Sequence, residues 1–289
     1  MDIALQLIIS GVGIGCVYFL VAFEFTIIWN ASSLINFGHD KFIMLGAYIF
    51  AGTFIRFLGV NYFLGAVMAV AVMGIFGALV AIGIFNPLRN MPSDIYAVMG
   101  TIMLAKFLGE ATRFVWGPEP FRIENFLEGN FYFGNLVIAK ANIYIIIASL
   151  IFLYLQHIFF TRTRMGKAMS CVAMDKTASA LMGINVGRNI IYTIAFSSII
   201  CCIVGILIIP IFNVDLGMAN MIGLKGFAAG VVGGFGTIPG AIAGGIFIGL
   251  LENLYLMFGP AIYKDVVGFV VFILFLLIKP NGIVGKKAS

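Results

Sequence analysis

Charged residues are scarce in this chain of 289 residues: only 10% are Asp, Glu, Lys or Arg, whereas 62% are hydrophobic. An average soluble domain carries about 25% charged residues. A globule of the present composition would have to build its surface from Leu, Ile and Phe. A lipid bilayer accepts such a surface, provided that the backbone amides are hydrogen-bonded within the chain. The composition therefore predicts an integral membrane protein and argues against a soluble one.

Residues that usually form catalytic or metal-binding groups are also scarce. The sequence has two histidines and four cysteines, and it contains no H-E-x-x-H, C-x-x-C or G-x-S-x-G motif. The Gly-Lys pairs at 166–167 and 285–286 lack the Ser or Thr that completes a phosphate-binding Walker A loop. We therefore expect no catalytic residues, no metal site, no bound cofactor and no disulfide framework. The cysteines are interpreted as small packing residues.

Long apolar runs make up most of the sequence. Nine can be separated, at 3–29, 41–57, 62–85, 95–115, 142–160, 189–213, 222–236, 240–258 and 263–279. Most reach the roughly 20 residues that a transmembrane helix needs, whereas 222–236 would extend only about 22 Å as a helix. The pattern predicts one all-α transmembrane domain over residues 1–289. It would be a polytopic bundle of about eight or nine helices, with short or broken glycine-rich helices among them.

The charges between these runs are distributed unevenly. The loop 161–188 carries five Lys or Arg residues against the single Asp175, and three lysines lie in the C-terminal tail. The long loop 116–141 has no such excess. Because basic loops remain in the cytoplasm, we predict a multi-pass protein with its N-terminus outside and its C-terminus inside. A cysteine at position 125 should then be labelled from outside, and Ser289 should be cytoplasmic.

Five ionisable residues interrupt the apolar runs: Glu24, Lys106, Glu110, Lys225 and Glu252. Each costs about 3 kcal/mol or more in hydrocarbon unless it is paired or hydrated. Lys106 and Glu110 are four residues apart and can pair on one helix face. Glu24 and Lys225 lie near polar breaks, at which water could reach them. Glu252 is deeper and has no partner visible in the sequence, which makes it a candidate for a functional or interhelical contact.

Glycine is abundant, with 35 residues, and in the last third of the chain it recurs at intervals of four. Such spacing on a helix leaves a flat strip on which another backbone can pack closely. The predicted helix-packing residues are Gly230, Gly234, Gly236, Gly240 and Gly244. Pro239 interrupts the series and should turn or break the helix. A broken helix could also expose backbone groups to a cavity, and this alternative is compatible with close packing.

Four stretches together resemble one family of transporters. They are 15–48, which contains NFGHDKFIMLGAY, the basic loop 163–188, the glycine-rich run 221–254, and 266–285, which ends KPNGIVG. These stretches are similar to the LivH-type permease subunit of branched-chain amino acid ABC importers. The chain departs from the family at Asp40, where Gly is usual, at the pair Phe23-Glu24, which replaces small residues, and at Met174, where Glu is common.

The resemblance implies a transport subunit for branched-chain or other small neutral amino acids in the cell's inner (plasma) membrane. Its partners would be a second, related permease (LivM-like), two cytoplasmic ATPases that bind the ATP, and an extracytoplasmic solute-binding protein, with no nucleic acid. Loop 161–188 would couple the chain to the ATPases, and its candidate residues are Gly166, Asp175, Ala178, Leu181 and Gly183. The candidate pathway residues are Asn36, Phe37, His39, Lys225 and Glu252.

Other functions stay open from the sequence alone. Related permeases carry urea or short amides. A secondary transporter or channel acting alone could use Lys106, Glu110 and Glu252 as an ion relay, and a structural scaffold would transport nothing. Uptake into proteoliposomes separates these classes, because an importer needs ATP and its partners whereas a secondary transporter needs an ion gradient.

Overall fold

The computed structural model describes residues 2–32, 36–88, 91, 94–123, 126–127, 129–133, 136–279 and 281–284. The α-helices in these ranges are α1 (Asp2–Ser32), α2 (His39–Tyr48), α3 (Tyr62–Val80), α4 (Asn86–Leu88), α5 (Asp94–Trp116), α6 (Lys140–Arg162), α7 (Arg164–Met174), α8 (Lys176–Leu181), α9 (Val186–Ile208), α10 (Asn220–Gly233), α11 (Ile238–Tyr255) and α12 (Lys264–Ile278). Positions 125 and 289, named above for the membrane topology, lie outside the described residues.

Three short elements extend or precede these helices. A π-helix, Ile49–Phe57, continues α2, a second one, Ala81–Phe85, continues α3, and a 3₁₀ turn, Ala261–Tyr263, leads into α12. Strands β1 (Asn130–Phe133) and β2 (Leu136–Ala139) pair antiparallel, with Asn130 opposite Ala139. This hairpin lies in the long loop that the sequence leaves without a helix.

Each of the nine apolar runs coincides with a helix of the structure. Within the described ranges, six helices are both long and apolar enough to cross a membrane: Ala4–Ser32, Tyr62–Leu88, Lys140–Arg162, Val186–Ile208, Ile238–Tyr255 and Ala261–Ile278. The fold is therefore a polytopic all-α membrane protein, as predicted. The number of eight or nine crossings stays a prediction. Helix α10 has 14 residues and extends about 21 Å, so it is short for a full span.

The chain divides into two compact units built from alternating parts of the sequence. Unit 1 comprises Met1–Thr26, Ile123–Ile151 and Met221–Ser289, and unit 2 comprises Ile27–Arg122 and Phe152–Asn220. Helices α1 and α6 are each divided between the two units, with one part in unit 1 and the other in unit 2. The single permease domain expected from the sequence stays a prediction.

Unit 1 is held together by helix backbones that touch at glycines. A Cβ added to Gly249 of α11 would overlap the backbone of Gly15 in α1, and one added to Gly245 would lie 2.5 Å from Phe19 N. The same arrangement joins α10 to α11, where a Cβ on Gly244 would overlap Ala229 O. Packing this close excludes side chains from the contact, which explains the glycine content of α11.

The glycines between α10 and α11 have a different role from the one that their spacing predicts. Gly234 and Gly236 have φ of 122° and 85° and form the turn that precedes α11, so they do not lie on a helical strip. Thr237 caps α11 by accepting a hydrogen bond from Gly240 N at 3.2 Å, and Pro239 follows in the first turn of the helix. At Gly230 the nearest atom to an added Cβ is 3.6 Å away, an ordinary contact.

Unit 2 is centred on α9, which packs against α2 and α3. A Cβ on Gly205 would overlap Ile43 O, one on Gly46 would lie 2.6 Å from Cys202 Cα, and one on Gly77 would overlap the side chain of Ser198. Cys202 is a buried free thiol. Glycine thus permits backbone approach in this unit as well.

Candidate functional site

A buried ion pair joins the short helix α10 to α11. Lys225 Nζ lies 2.9 Å from Oε1 and 3.0 Å from Oε2 of Glu252. The Lys225 side chain is 7% exposed, and that of Glu252 is fully buried. The sequence placed Lys225 where water could reach it, but the structure buries it against a carboxylate. A buried charge is tolerated when it is paired and hydrogen-bonded, and this pair meets both conditions.

Two further helices contribute to the same cluster. Tyr18 of α1 donates a hydrogen bond to Glu252 Oε2 at 3.0 Å. Lys225 Nζ also lies 2.6 Å from Asp265 Oδ1 in the first turn of α12, and the Asp265 side chain is 47% exposed. We call Tyr18, Lys225, Glu252 and Asp265 the four-helix cluster, because each residue comes from a different helix.

The surroundings of the four-helix cluster are tightly packed and close to neutral. A Cβ on Gly268 of α12 would lie 2.6 Å from Glu252 Oε1, so glycine lets α12 approach the carboxylate. Lys264 Nζ lies 3.5 Å from Asn253 Oδ1, and Asn253 Nδ2 donates to Gly249 O at 2.9 Å. With Lys264 included, two ammonium groups face the two carboxylates of Glu252 and Asp265, so the formal charges cancel. Among the described residues, no group of His, Cys, Asp or Glu is arranged to hold a metal ion.

Sequence reasoning missed two members of the four-helix cluster. Tyr18 lies 234 residues from its partner, and Asp265 lies 40 residues from Lys225, so no local spacing reveals either contact. The expected pairing of Lys106 with Glu110 is replaced by an exposed contact of 3.8 Å between Glu110 and Arg113.

The residues predicted at the first polar break lie together in unit 2. Asn36 and His39 are buried, whereas Phe37 is 47% exposed. Asn36 Oδ1 accepts a hydrogen bond from Gly38 N at 2.9 Å, and His39 Nδ1 lies 3.3 Å from Asn36 O. Phe37 N donates to Thr101 Oγ1 at 3.4 Å. The break is thus a compact polar turn that begins α2.

Lys41 links this break to a second one in unit 2, the segment between α9 and α10. Its Nζ donates to Asn220 Oδ1 at 2.8 Å and to Leu216 O at 3.2 Å, and it lies 3.4 Å from Asp40 Oδ2. Lys41 was not among the residues predicted for the site. Of the five candidate pathway residues, three thus belong to unit 2, and Lys225 and Glu252 belong to unit 1.

The predicted coupling loop consists of the two short helices α7 and α8. Thr163 caps α7 by accepting a hydrogen bond from Gly166 N at 2.9 Å. Gly166 is buried against the end of α6, where an added Cβ would overlap Phe159 O and lie 2.7 Å from Phe160 Cα. A side chain at this position would therefore push α7 away from α6.

Asp175 separates the two helices and caps the second. Its Oδ1 accepts hydrogen bonds from Thr177 N at 2.8 Å and Ala178 N at 2.9 Å, which satisfies two amides that the helix leaves unpaired. Gly183 ends the loop with φ of 84°, the left-handed conformation that a glycine adopts after a helix. A glycine with positive φ was expected after this helix, whereas the cap by Asp175 was not predicted.

Three large apolar side chains of this loop face away from the protein. Met174, Leu181 and Met182 are 89%, 85% and 83% exposed, and Ala178 is also exposed. They lie in the loop 161–188, which carries five Lys or Arg residues. Exposed apolar groups with a polar rim are typical of protein–protein contacts, so this surface can accept a partner protein.

Comparisons with known proteins identify the family of the chain. A family described as "Branched-chain amino acid transport system / permease component" matches residues 7–276. The permease protein BraD of the high-affinity branched-chain amino acid transport system of Pseudomonas aeruginosa is 31% identical, with 98% of this chain and 96% of that protein covered. The permease protein LivH of Escherichia coli is 30% identical over the same shares.

A solved structure shares the fold at greater distance. PsaBC from Streptococcus pneumoniae, in complex with Fab, aligns with a TM-score of 0.53 and 15% identity, covering 97% of this chain and 93% of that chain. At this identity the likeness concerns the fold alone.

Proposed function

Because this chain belongs to the branched-chain amino acid transport permease family, we propose that it moves branched-chain or other small neutral amino acids across the membrane. The protein is the permease subunit of an ABC importer, a transport subunit rather than an enzyme. The observation that carries the assignment is the match over residues 7–276, which runs from the second turn of α1 to the last turn of α12. ATP is expected to bind to the partner ATPases, since the chain has no Walker A loop.

The importer would contain ATPase and solute-binding partners and a second permease of the LivM type. We place the translocation pathway between this chain and that permease. Asn36, Phe37 and His39 are proposed as pathway residues because Asn36 and His39 lie in a polar helix break and Phe37 between them is 47% exposed. Helix breaks present backbone groups to a passing solute, as in other transporters.

Helices α7 and α8 are proposed as the coupling element. Their exposed residues Met174, Leu181 and Met182 would seat in the ATPases. Gly166 fixes the base of α7 to α6 by close contact, so a push on α8 reaches the transmembrane helices through a packed path. ATP-driven closure would then favour one of two states of the bundle. This use of the loop predicts a cytoplasmic location for it and an external N-terminus.

The stand-alone ion-coupled transporter has less support. Its relay would need Lys106, Glu110 and Glu252 to act in series. Glu252 is instead neutralised by Lys225, and Lys106 and Glu110 are exposed on α5 in the other unit.

Reconstitution tests the assignment. Leucine uptake should require this chain, the second permease, the ATPases, the solute-binding protein and ATP inside the proteoliposomes. Urea and a short amide serve as competing cargo. If this chain alone takes up leucine on a proton or sodium gradient, the importer assignment is wrong. If the complete complex takes up urea but not leucine, the class of cargo is wrong.

A further inference from the structure

Helix α10 packs closely against its neighbours through glycines. On one side Gly226 receives the side chain of Val21 of α1, and on the other a Cβ on Gly233 would overlap Gly240 O of α11. Small residues allow this approach, and the Phe227 ring adds contacts with Phe25 of α1 and Phe272 of α12. These are packing contacts without a polar pair, so a short ion pair on the same helix would define its axial position more sharply.

Lys225 is the one charged residue in the sequence of α10. Its ammonium group touches carboxylates from two other helices, Glu252 of α11 and Asp265 of α12, at 2.9 and 2.6 Å. Contacts of this length are satisfied at a single axial position of α10, since one helical turn displaces a side chain by about 5.4 Å. A displaced α10 would leave Glu252 buried without a cation, and an uncompensated buried charge is strongly unfavourable.

We propose that Lys225 is a positioning residue that fixes the axial register of α10 against α11 and α12. Buried polar pairs that select one register among several are known from helical assemblies. The two acceptors have different roles. Glu252 is fully buried and is the obligatory partner, whereas Asp265 is half exposed and can be solvated when it is unpaired. Lys225 and Glu252 therefore set the position of α10 against α11, and the contact with Asp265 extends this alignment to α12.

The register can be measured with cysteine pairs. Phe227 of α10 and Phe272 of α12 have ring centroids 6.4 Å apart, and Phe247 of α11 and Phe275 of α12 have centroids 5.8 Å apart. The first pair, replaced by cysteines, reports the position of α10. The second pair does not involve α10 and is the matched control. A short bifunctional thiol reagent is applied to the full importer in membranes, in a Cys171→Ser background because Cys171 is the exposed native cysteine among the described residues.

Lys225→Met should lower cross-linking of the first pair by about tenfold, because losing one partner of a buried pair shifts an equilibrium by at least that factor. The control pair should be unchanged. Lys225→Arg keeps the charge and should restore the cross-link. ATP-driven uptake should lose maximal rate while the half-saturating cargo concentration stays constant, since the external binding protein is untouched. The uptake measurement rests on the proposed function, whereas the cross-linking does not.

Lys225→Met leaves Glu252 unpaired and can prevent assembly. The double variant Lys225→Met/Glu252→Met removes both charges, so it should assemble and still lose the first cross-link. Wild-type cross-linking in either variant overturns the proposal. Failure of the double variant to assemble also overturns it, because the pair would then be needed for folding rather than for register.

Discussion

Replacing Gly183 separates a fold defect from a coupling defect. Gly183 follows α8 with φ of 84°, and no atom lies within 4 Å of the position that a Cβ would take. Gly183→Val therefore creates no clash, and its effect comes from the backbone alone. To avoid a left-handed β-branched residue, the chain must change φ at the end of α8. That change would displace the exposed Leu181 and Met182 beside it.

The size of the effect follows from the backbone. A non-glycine residue held in a sparsely populated region costs about 1–3 kcal/mol, which a bundle of this size tolerates in insertion and folding. Gly59 offers a matched control, since it also has a positive φ, 61°, and no neighbour within 4 Å of an added Cβ. Gly59→Val should have a similar cost, but it lies in the turn before α3 rather than in the coupling loop.

The assay compares both variants in membranes and after purification. Both should insert at wild-type levels and lose a similar, small amount of thermal stability. Gly183→Val alone should reduce co-purification of the ATPases, ATP hydrolysis stimulated by the binding protein, and uptake. Cargo binding to the external protein should be unchanged in both. Wild-type uptake with Gly183→Val, or equal losses of uptake in both variants, would refute the role of α7 and α8 in coupling.

Four further predictions concern the buried ion pair, the glycine packing, the coupling loop and the membrane topology. Glu252→Leu should destabilise the protein by about 3–5 kcal/mol, because it leaves Lys225 without its buried partner, and Glu252→Gln should be milder in a thermal-unfolding assay. Gly244→Leu places a side chain onto Ala229 O, so the variant should fail to assemble, and a normal yield would contradict close packing there. Asp175→Lys removes the cap of α8, costs about 1 kcal/mol in stability and should weaken ATPase co-purification more than thermal stability. A cysteine at position 125 should be labelled in intact cells, and labelling only after permeabilisation would reverse the topology.

The transmembrane helices could be predicted because the lipid bilayer requires an apolar surface along each of them. Residues that must face lipid are apolar whatever their neighbours, so the nine runs, including 222–236 and 240–258, coincide with helices. Residue types at helix ends also fit their local structure. Asp175 caps α8, and Gly183 has a positive φ, because a helix end requires such residues within a few positions.

Evenly spaced glycines were less informative. Gly234 and Gly240 belong to the same series in the sequence, but Gly234 forms a turn and Gly240 lies inside a helix. Spacing identifies residues that would share a face if the helix continued, and it does not show where the helix ends. Helix α10 ends at the turn before Pro239. The tertiary structure then decides which glycines meet another backbone.

The sequence by itself determined that this is a helical membrane protein, since composition, apolar length and local caps act over one helix or less, and its similarity to known permeases identified the family. Only the tertiary structure decided how its buried charges are paired. Lys225 meets Glu252 across 27 residues, and Glu252 meets Tyr18 across 234. An ion in an apolar interior is stable only beside a counter-ion within a few ångströms. That distance is set by how the helices pack, which no spacing along the chain specifies.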